Sequence, residues 1–198
     1  TRRSSDLSEI APEKWKDMVK LAVYKHWKKS IEDEAKEKST LSHLNAVHSK
    51  DPHLIWKAAG HNPKQVRRAN NKARLLSGAY ILQSNRAAFN QTKNTTCLLC
   101  EKEDEDITHF IITCEALEQH RRPWLQSLMD AIPIVYQRHP YINWSNHLLT
   151  QLVLDPTHPI IHEILPLKND VLIKVEKLSQ ILCYKLHQAR CDILECGA

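Results

Sequence analysis

From Pro12 onward, apolar residues recur at helical spacing. Trp15, Met18, Val19, Ala22, Trp27, Ile31 and Ala35 fall roughly on one face, and Lys and Glu fill the other. Pro12 suits a helix start, and residues 1–10 before it read as a solvated lead-in. The charge run over 31–38 places Glu32–Lys36 and Glu34–Lys38 at i,i+4, the pattern of a solvated helix face. A break over 39–44, a turn at Asp51-Pro52 and a short helix around Trp56 follow. The next break is at Gly60-His61-Asn62-Pro63.

Beyond Pro63 the period is again helical. Val66, Ala69, Ala73, Leu76 and Tyr80 form one stripe at 100° per residue. Lys64, Arg67, Arg68, Lys72 and Arg74 occupy the other side, with no acid in the stretch to neutralise them. Leu125, Leu128, Met129 and Ile132 continue apolar spacing after a helical segment at 115–122. Five prolines then punctuate a looser region of short helices over 133–166. The last element is long: Val171, Leu172, Val175, Leu178, Ile181, Leu182, Leu186, Ala189 and Ile193 recur at three and four. It reads as a closing core helix or, alternatively, as a partner-binding one.

The pattern predicts an all-α, mainly helical chain with one small turn-helix element at its centre. Glycine supports this: Gly60, Gly78 and Gly197 are too few for a hairpin-rich protein. The predicted layout is a lead-in over 1–10, a helical region over 11–93 with a basic helix at 64–77, a Cys/His segment over 94–125, and a helical region over 126–198. A chain of 198 residues, 42% hydrophobic and 26% charged, buries a core and is not disordered. There is no run long and apolar enough for a membrane span and no signal-peptide h-region. The first residue is Thr, which suggests a segment of a longer polypeptide in the cytosol or nucleus. Net charge +5 permits nucleic-acid binding without requiring it.

The element at the centre carries chemistry. Cys97, Cys100, His109 and Cys114 read C-x2-C-x8-H-x4-C. Two thiols on a tight turn hold one side of a tetrahedron, and a His and a Cys from a following short helix close the other. Thiolate and imidazole suit Zn²⁺, and four protein ligands leave no open position, so one structural zinc is expected. A redox dithiol would need a strand-to-helix context that the pattern lacks; unliganded core cysteines are the remaining alternative. Lys102, Arg121 and Arg122 are near enough in sequence to balance the net negative site. Ile107, Phe110, Ile111 and Ile112 are expected to shield it, and Phe89 to plug the core beside it. The acids over 101–106 read as a solvated loop with Asp106 capping the next helix. Cys183, Cys191 and Cys196 read as small apolar groups, and His158/His162 as a weak ligand pair because Pro159 starts a helix between them.

The five cations of the basic helix could track a phosphate backbone; a solvated face, or one paired with the acids at 101–106, is the bland alternative. No phosphate-loop, nucleophile-elbow or zinc-protease motif occurs, and no carboxylates are spaced to hold two Mg²⁺, so no catalytic residue is assigned.

Several stretches taken together point further. They are Val66-Arg67-Arg68-Ala69, the run from Lys72 through Leu75, Gly78 and Tyr80 to Gln83, Asn85-Arg86-Ala87-Ala88-Phe89-Asn90-Gln91, Thr96-Cys97-Leu98-Leu99-Cys100, and Glu105-Asp106-Ile107-Thr108-His109-Phe110 ending at Cys114. In this order they resemble the region C-terminal to the polymerase domain in LINE-type, non-LTR retrotransposon reverse transcriptases, with its Cys-Cys-His-Cys zinc segment. The resemblance spans roughly 15–195 and is strongest over 64–114. It implies zinc on Cys97, Cys100, His109 and Cys114, and a non-catalytic role in engaging RNA or target DNA during target-primed reverse transcription. It also implies a polymerase domain in the same polypeptide, with no membrane or small-molecule partner. The rival expectation is a zinc-stapled helical scaffold for protein partners, a stand-alone remnant of such an element.

Overall fold

The computed structural model describes residues 12–38, 41–44, 51–91, 93–137 and 144–196. The lead-in, the break at 39–40 and the side chains of Ala35, Lys36 and Cys196 lie outside the described residues, and with them the expected Glu32–Lys36 pair. Among those described there is no β-strand, only an isolated antiparallel bridge between Thr96 and Asp104. The helical reading of the chain holds.

Four of the helices start where the sequence supplies a side-chain cap. His53 opens α2 (Leu54–Ala59), its Nδ1 accepting from the Ile55 amide, and Gly60 closes it at φ +56°. Asn62 caps α3 (Pro63–Leu76), its Oδ1 accepting from the Lys64 amide at 2.9 Å, with Pro63 in the first turn. After α4 (Gln83–Ala88) come the Cys/His segment, α5 (Glu118–Ala131) and α6 (Ile134–Gln137). Ser145 caps α7 (Asn146–Leu154), and His158 caps α8 (Pro159–Ile164), which spends that histidine on the helix start.

The core is organised around α9 (Asn169–Cys196), which packs against α2, α3, α5 and α7. Val175, Leu182, Cys183 and Leu186 are fully buried on it, facing Ala69, Leu75 and Leu76 of α3 and Leu128 of α5 within one continuous apolar cluster. Each such leucine stabilises the fold by about 1.5–3 kcal/mol. The long last helix is thus the closing core helix. In contrast, α1 (Pro12–Glu37) lies outside that cluster: Trp15, Met18 and Trp27 are each about half exposed.

One residue of the basic helix departs from its expected place. Lys72 is fully buried: its Nζ donates to Glu176 Oε2 and to Ser179 Oγ, both at 2.6 Å. On a helical wheel it lies about 60° from Ala69, at the edge of the apolar stripe rather than opposite it. Its aliphatic stem continues that stripe, and the charge is met by an acid from α9. Gln180 completes the network, donating to Glu176 Oε1 and to the Ile55 carbonyl. Lys72, expected as a phosphate contact, is instead buried away from the basic face.

A second polar contact ties α9 to the centre. The Tyr80 ring stacks on Phe110 with centroids 5.4 Å apart, and its hydroxyl lies 2.9 Å from His187 Nδ1. Burial, then the Arg74 and Arg190 guanidinium groups, hold the His187 pKa below its ordinary value. The native state therefore favours neutral His187. The stability this provides is present above the unfolded pKa near 6.5 and is lost as pH falls toward the lower folded value. Urea unfolding midpoints measured on either side of that range are expected to fall toward acid, and the His187→Gln variant is expected to show a flatter profile. Parallel profiles for the two proteins would refute this assignment.

Candidate metal centre

The first two ligands sit on a tight knuckle. The Cys97 amide donates to the Glu103 carbonyl and the Glu105 amide to the Thr95 carbonyl, each at 2.8 Å, which pins the two ends of the loop together. Inside it the Glu101 amide donates back to the Cys97 carbonyl, and Glu101 adopts φ +57°. A left-handed conformation costs a non-glycine residue about 1–2 kcal/mol, so the knuckle carries strain at this position. The turn points amides at sulfur: Leu99 N–H donates to Cys97 Sγ at 3.4 Å.

The other two ligands come from an unusual turn. His109–Thr113 is π-helical, and the Cys114 amide donates to the His109 carbonyl at 2.8 Å. Residues five apart on an α-helix lie about 140° from one another and face different sides. The i→i+5 bond of the π turn brings them onto one side. The H-x4-C spacing therefore requires this turn if both side chains are to meet one ion.

They do meet. One ligand atom from each of Cys97, Cys100, His109 and Cys114 lies within 4.8 Å of all the others. Cys97 Sγ and Cys114 Sγ are 3.9 Å apart, and Cys100 Sγ and His109 Nε2 are 3.3 Å apart. A tetrahedral ion with ordinary thiolate and imidazole bonds sets these separations at about 3.8 and 3.6 Å. The donor set fits a structural metal ion. The sulfurs differ in what surrounds them. Burial, then the neighbouring Cys97 sulfur, pushes the Cys114 thiol up to about 12. Burial also raises Cys100, but the Lys102 and Glu103 amides outweigh it and leave that thiol at about 7.

Surrounding groups orient the ligands. His109 Nδ1 lies 2.9 Å from Glu103 Oε2 and 3.1 Å from Thr113 Oγ1, which reserves Nε2 for the side where the sulfurs stand. Asp106 Oδ1 accepts from the His109 amide at 2.7 Å, as expected of a cap. Of the three cations expected to balance the site, only Arg121 is buried. It donates to the Cys114 carbonyl at 2.7 Å and pairs with Glu118. Lys102 pairs with Glu115 on the surface, and Arg122 with Glu118.

Two expectations fail here. Phe89 is 62% exposed, while Phe110 and Ile111, expected to shield the ligands, fill the core beside them. The acidic loop is not wholly solvated either. Glu105 is fully buried, takes both Arg190 Nε (2.9 Å) and Nη2 (3.1 Å), and accepts from the Gln83 amide. That bidentate pair clamps the knuckle to α9. No sequence signal singled out Glu105 among its acidic neighbours, because its partner is 85 residues away.

The remaining basic residues of α3 stay at the surface. Lys64, Arg67 and Arg74 are exposed and Arg68 is half-buried. Among the described residues none of the four has a carboxylate within ion-pair distance; Arg68 donates to Gln65, and the Arg74 guanidinium lies over the Tyr80 ring. No helix among the described residues is long and apolar enough to cross a membrane. Compared with known proteins, the chain matches no family model, no curated sequence and no solved structure.

Proposed function

We propose that this chain is a non-catalytic nucleic-acid-binding region held together by one structural Zn²⁺. In this reading it serves as the C-terminal region of a non-LTR retrotransposon reverse transcriptase and engages RNA or target DNA beside the polymerase domain of the same polypeptide. Zinc is the ion this reading assigns to the four ligands, because three thiolates and an imidazole in a closed tetrahedron favour it over harder cations. The observation that supports nucleic-acid binding most is the unpaired charge of α3. Among the described residues Lys64, Arg67, Arg68 and Arg74 stand without acids, while three acids of the 101–106 loop are engaged by the Arg190 side chain, the His109 ring and the His109 amide. Such a face attracts phosphate by counterion release. The motif resemblance over 64–114 points the same way, and the nucleus or cytoplasm is the compartment it implies.

Binding of structured RNA and duplex DNA across a salt series tests the reading, beside a variant with Arg67, Arg68 and Arg74 changed to Gln. Steeply salt-dependent binding is expected, with the variant weaker and its slope on duplex DNA shallower by about 2.7. Equal binding by both proteins would remove the basic face from the contact.

One observation favours the scaffold reading instead: the half-exposed Trp15, Met18, Leu21 and Trp27 of α1. Salt-insensitive self-association that a Trp27→Ala change abolishes would support that reading over the first.

A further inference from the structure

A cleft of about 390 Å³ separates the start of α3 from the last turns of α9. That volume falls within the range of about 300–1,000 Å³ typical of ligand sites. Lys64, Arg67 and Arg68, at i, i+3 and i+4, form one wall; Tyr184, Lys185 and Gln188, at i, i+1 and i+4, form the other. No carboxylate lines it. Four cations thus converge on one concavity with no counter-charge among the described residues, an arrangement that repels itself until an anion enters. The wall also holds unmatched polar atoms. Arg68 Nε is buried with no acceptor, its guanidinium being held only through Nη1 on Gln65. Gln188 Oε1 is buried with no donor; turning that amide over presents an NH₂ in its place.

We infer that this cleft seats a phosphodiester of a single-stranded nucleic acid, with the neighbouring base against the half-buried Tyr184 ring. The inference rests on the nucleic-acid reading and extends it from one helix face to a two-walled site that includes α9. Phosphate oxygens supply the acceptors that Lys64, Arg67, Arg68 and Lys185 lack. Tyr184 supplies a sequence-tolerant stacking face, which a rigid duplex does not offer its bases to. Lys185 is the discriminating residue. It lies on α9, exposed and without an acidic partner among the described residues, where the α3 face alone gives it no role.

The test uses the full chain and a short fluorescent oligouridine, with binding followed by anisotropy across a salt series. Lys185→Gln is expected to weaken binding by about fivefold and to flatten the salt slope by about 0.7. Tyr184→Leu keeps an apolar side chain in place and is expected to weaken binding by about tenfold with the slope unchanged, because stacking releases no counterions. If both variants bind as the native chain does while Arg74→Gln weakens binding, the cleft is overturned and the reading of the α3 face stands. If the native chain binds no oligouridine at low salt but still binds duplex DNA, the cleft is overturned and the reading of the α3 face stands; if it binds neither, both fall. Displacement of the oligouridine by equivalent uridine monophosphate or inorganic phosphate would make this a free-phosphate site and overturn the strand assignment. Tighter binding of duplex than of single strand, unaffected by Tyr184→Leu, would do the same.

Discussion

Stripped of its metal by a chelator, the protein is expected to lose ordered structure over 95–117 and much of its thermal stability. Regular structure in that segment is sparse, with one isolated bridge, one π turn and a strained residue at Glu101, so that beside the ligands its ties are the Glu105–Arg190 pair and the buried Phe110, Ile111 and Leu117. Ordering some twenty residues costs about 1–2 kcal/mol each in backbone entropy. A closed zinc site supplies about 10–16 kcal/mol at neutral pH in small zinc modules, comparable to the whole stability of about 5–15 kcal/mol usual for a domain. The effect is expected to spread, because Phe110, Ile111 and Leu117 follow directly from the ligands into the central core. Hydrogen exchange checks this: the amides of residues 109–117 should lose protection in metal-free protein and in Cys114→Ser. Metal affinity should also weaken as pH falls, since the raised Cys97 and Cys114 thiols must give up protons to bind. Protein shown by mass spectrometry to be metal-free, yet protected and melting as before, would sink the structural role.

Replacing Lys72 alone with Met is expected to lower stability by about 3–5 kcal/mol. The substitution leaves Glu176 fully buried, with Gln180 its remaining partner and Ser179 turned back to the helix carbonyl. Replacing both members of the pair, Lys72→Met with Glu176→Leu, is expected to restore most of the loss. The desolvation cost of two ions then disappears together with their attraction. Urea midpoints of the two single variants and the double variant form the cycle that separates these terms. The single loss should leave the salt slope for RNA unchanged, because Lys72 does not reach the surface. A slope that falls by about 0.7 in Lys72→Met would instead place this ammonium on phosphate.

What the sequence made readable was local. The prolines and the three-and-four spacing of α3, α5 and α9 each depend on neighbours within one turn or two. The four ligands were readable for the same reason, since C-x2-C and H-x4-C are short-range constraints. The features that escaped were set across the fold. Lys72 sat at the rim of its stripe, and only Glu176, 104 residues on, decides that it turns inward. Glu105 looked like its four acidic neighbours until Arg190 reached it. Phe110 was expected beside the ligands and is buried there, but Phe89, placed in the core on apolar character alone, stands 62% exposed. The π turn itself was implicit in the His-to-Cys spacing, though an α-helical reading of the segment concealed it.

The central place of α9 has a consequence for the order in which this fold can be made. Ile55, Asn71, Lys72, Tyr80 and Glu105 all find their polar partners between Glu176 and Arg190, 85 to 125 residues later. At about 5–20 residues per second, a ribosome delivers those partners roughly 4–25 s after the earlier residues emerge. During that interval α2 and α3 can pack on each other, but the faces they turn to α9 stay uncovered. The metal knuckle, whose ligands span eighteen residues, is complete well before. Assembly therefore proceeds from a small early clasp at the centre to a late, concerted closure by the last helix. Chains truncated before Val175 would keep the clasp and remain open around it.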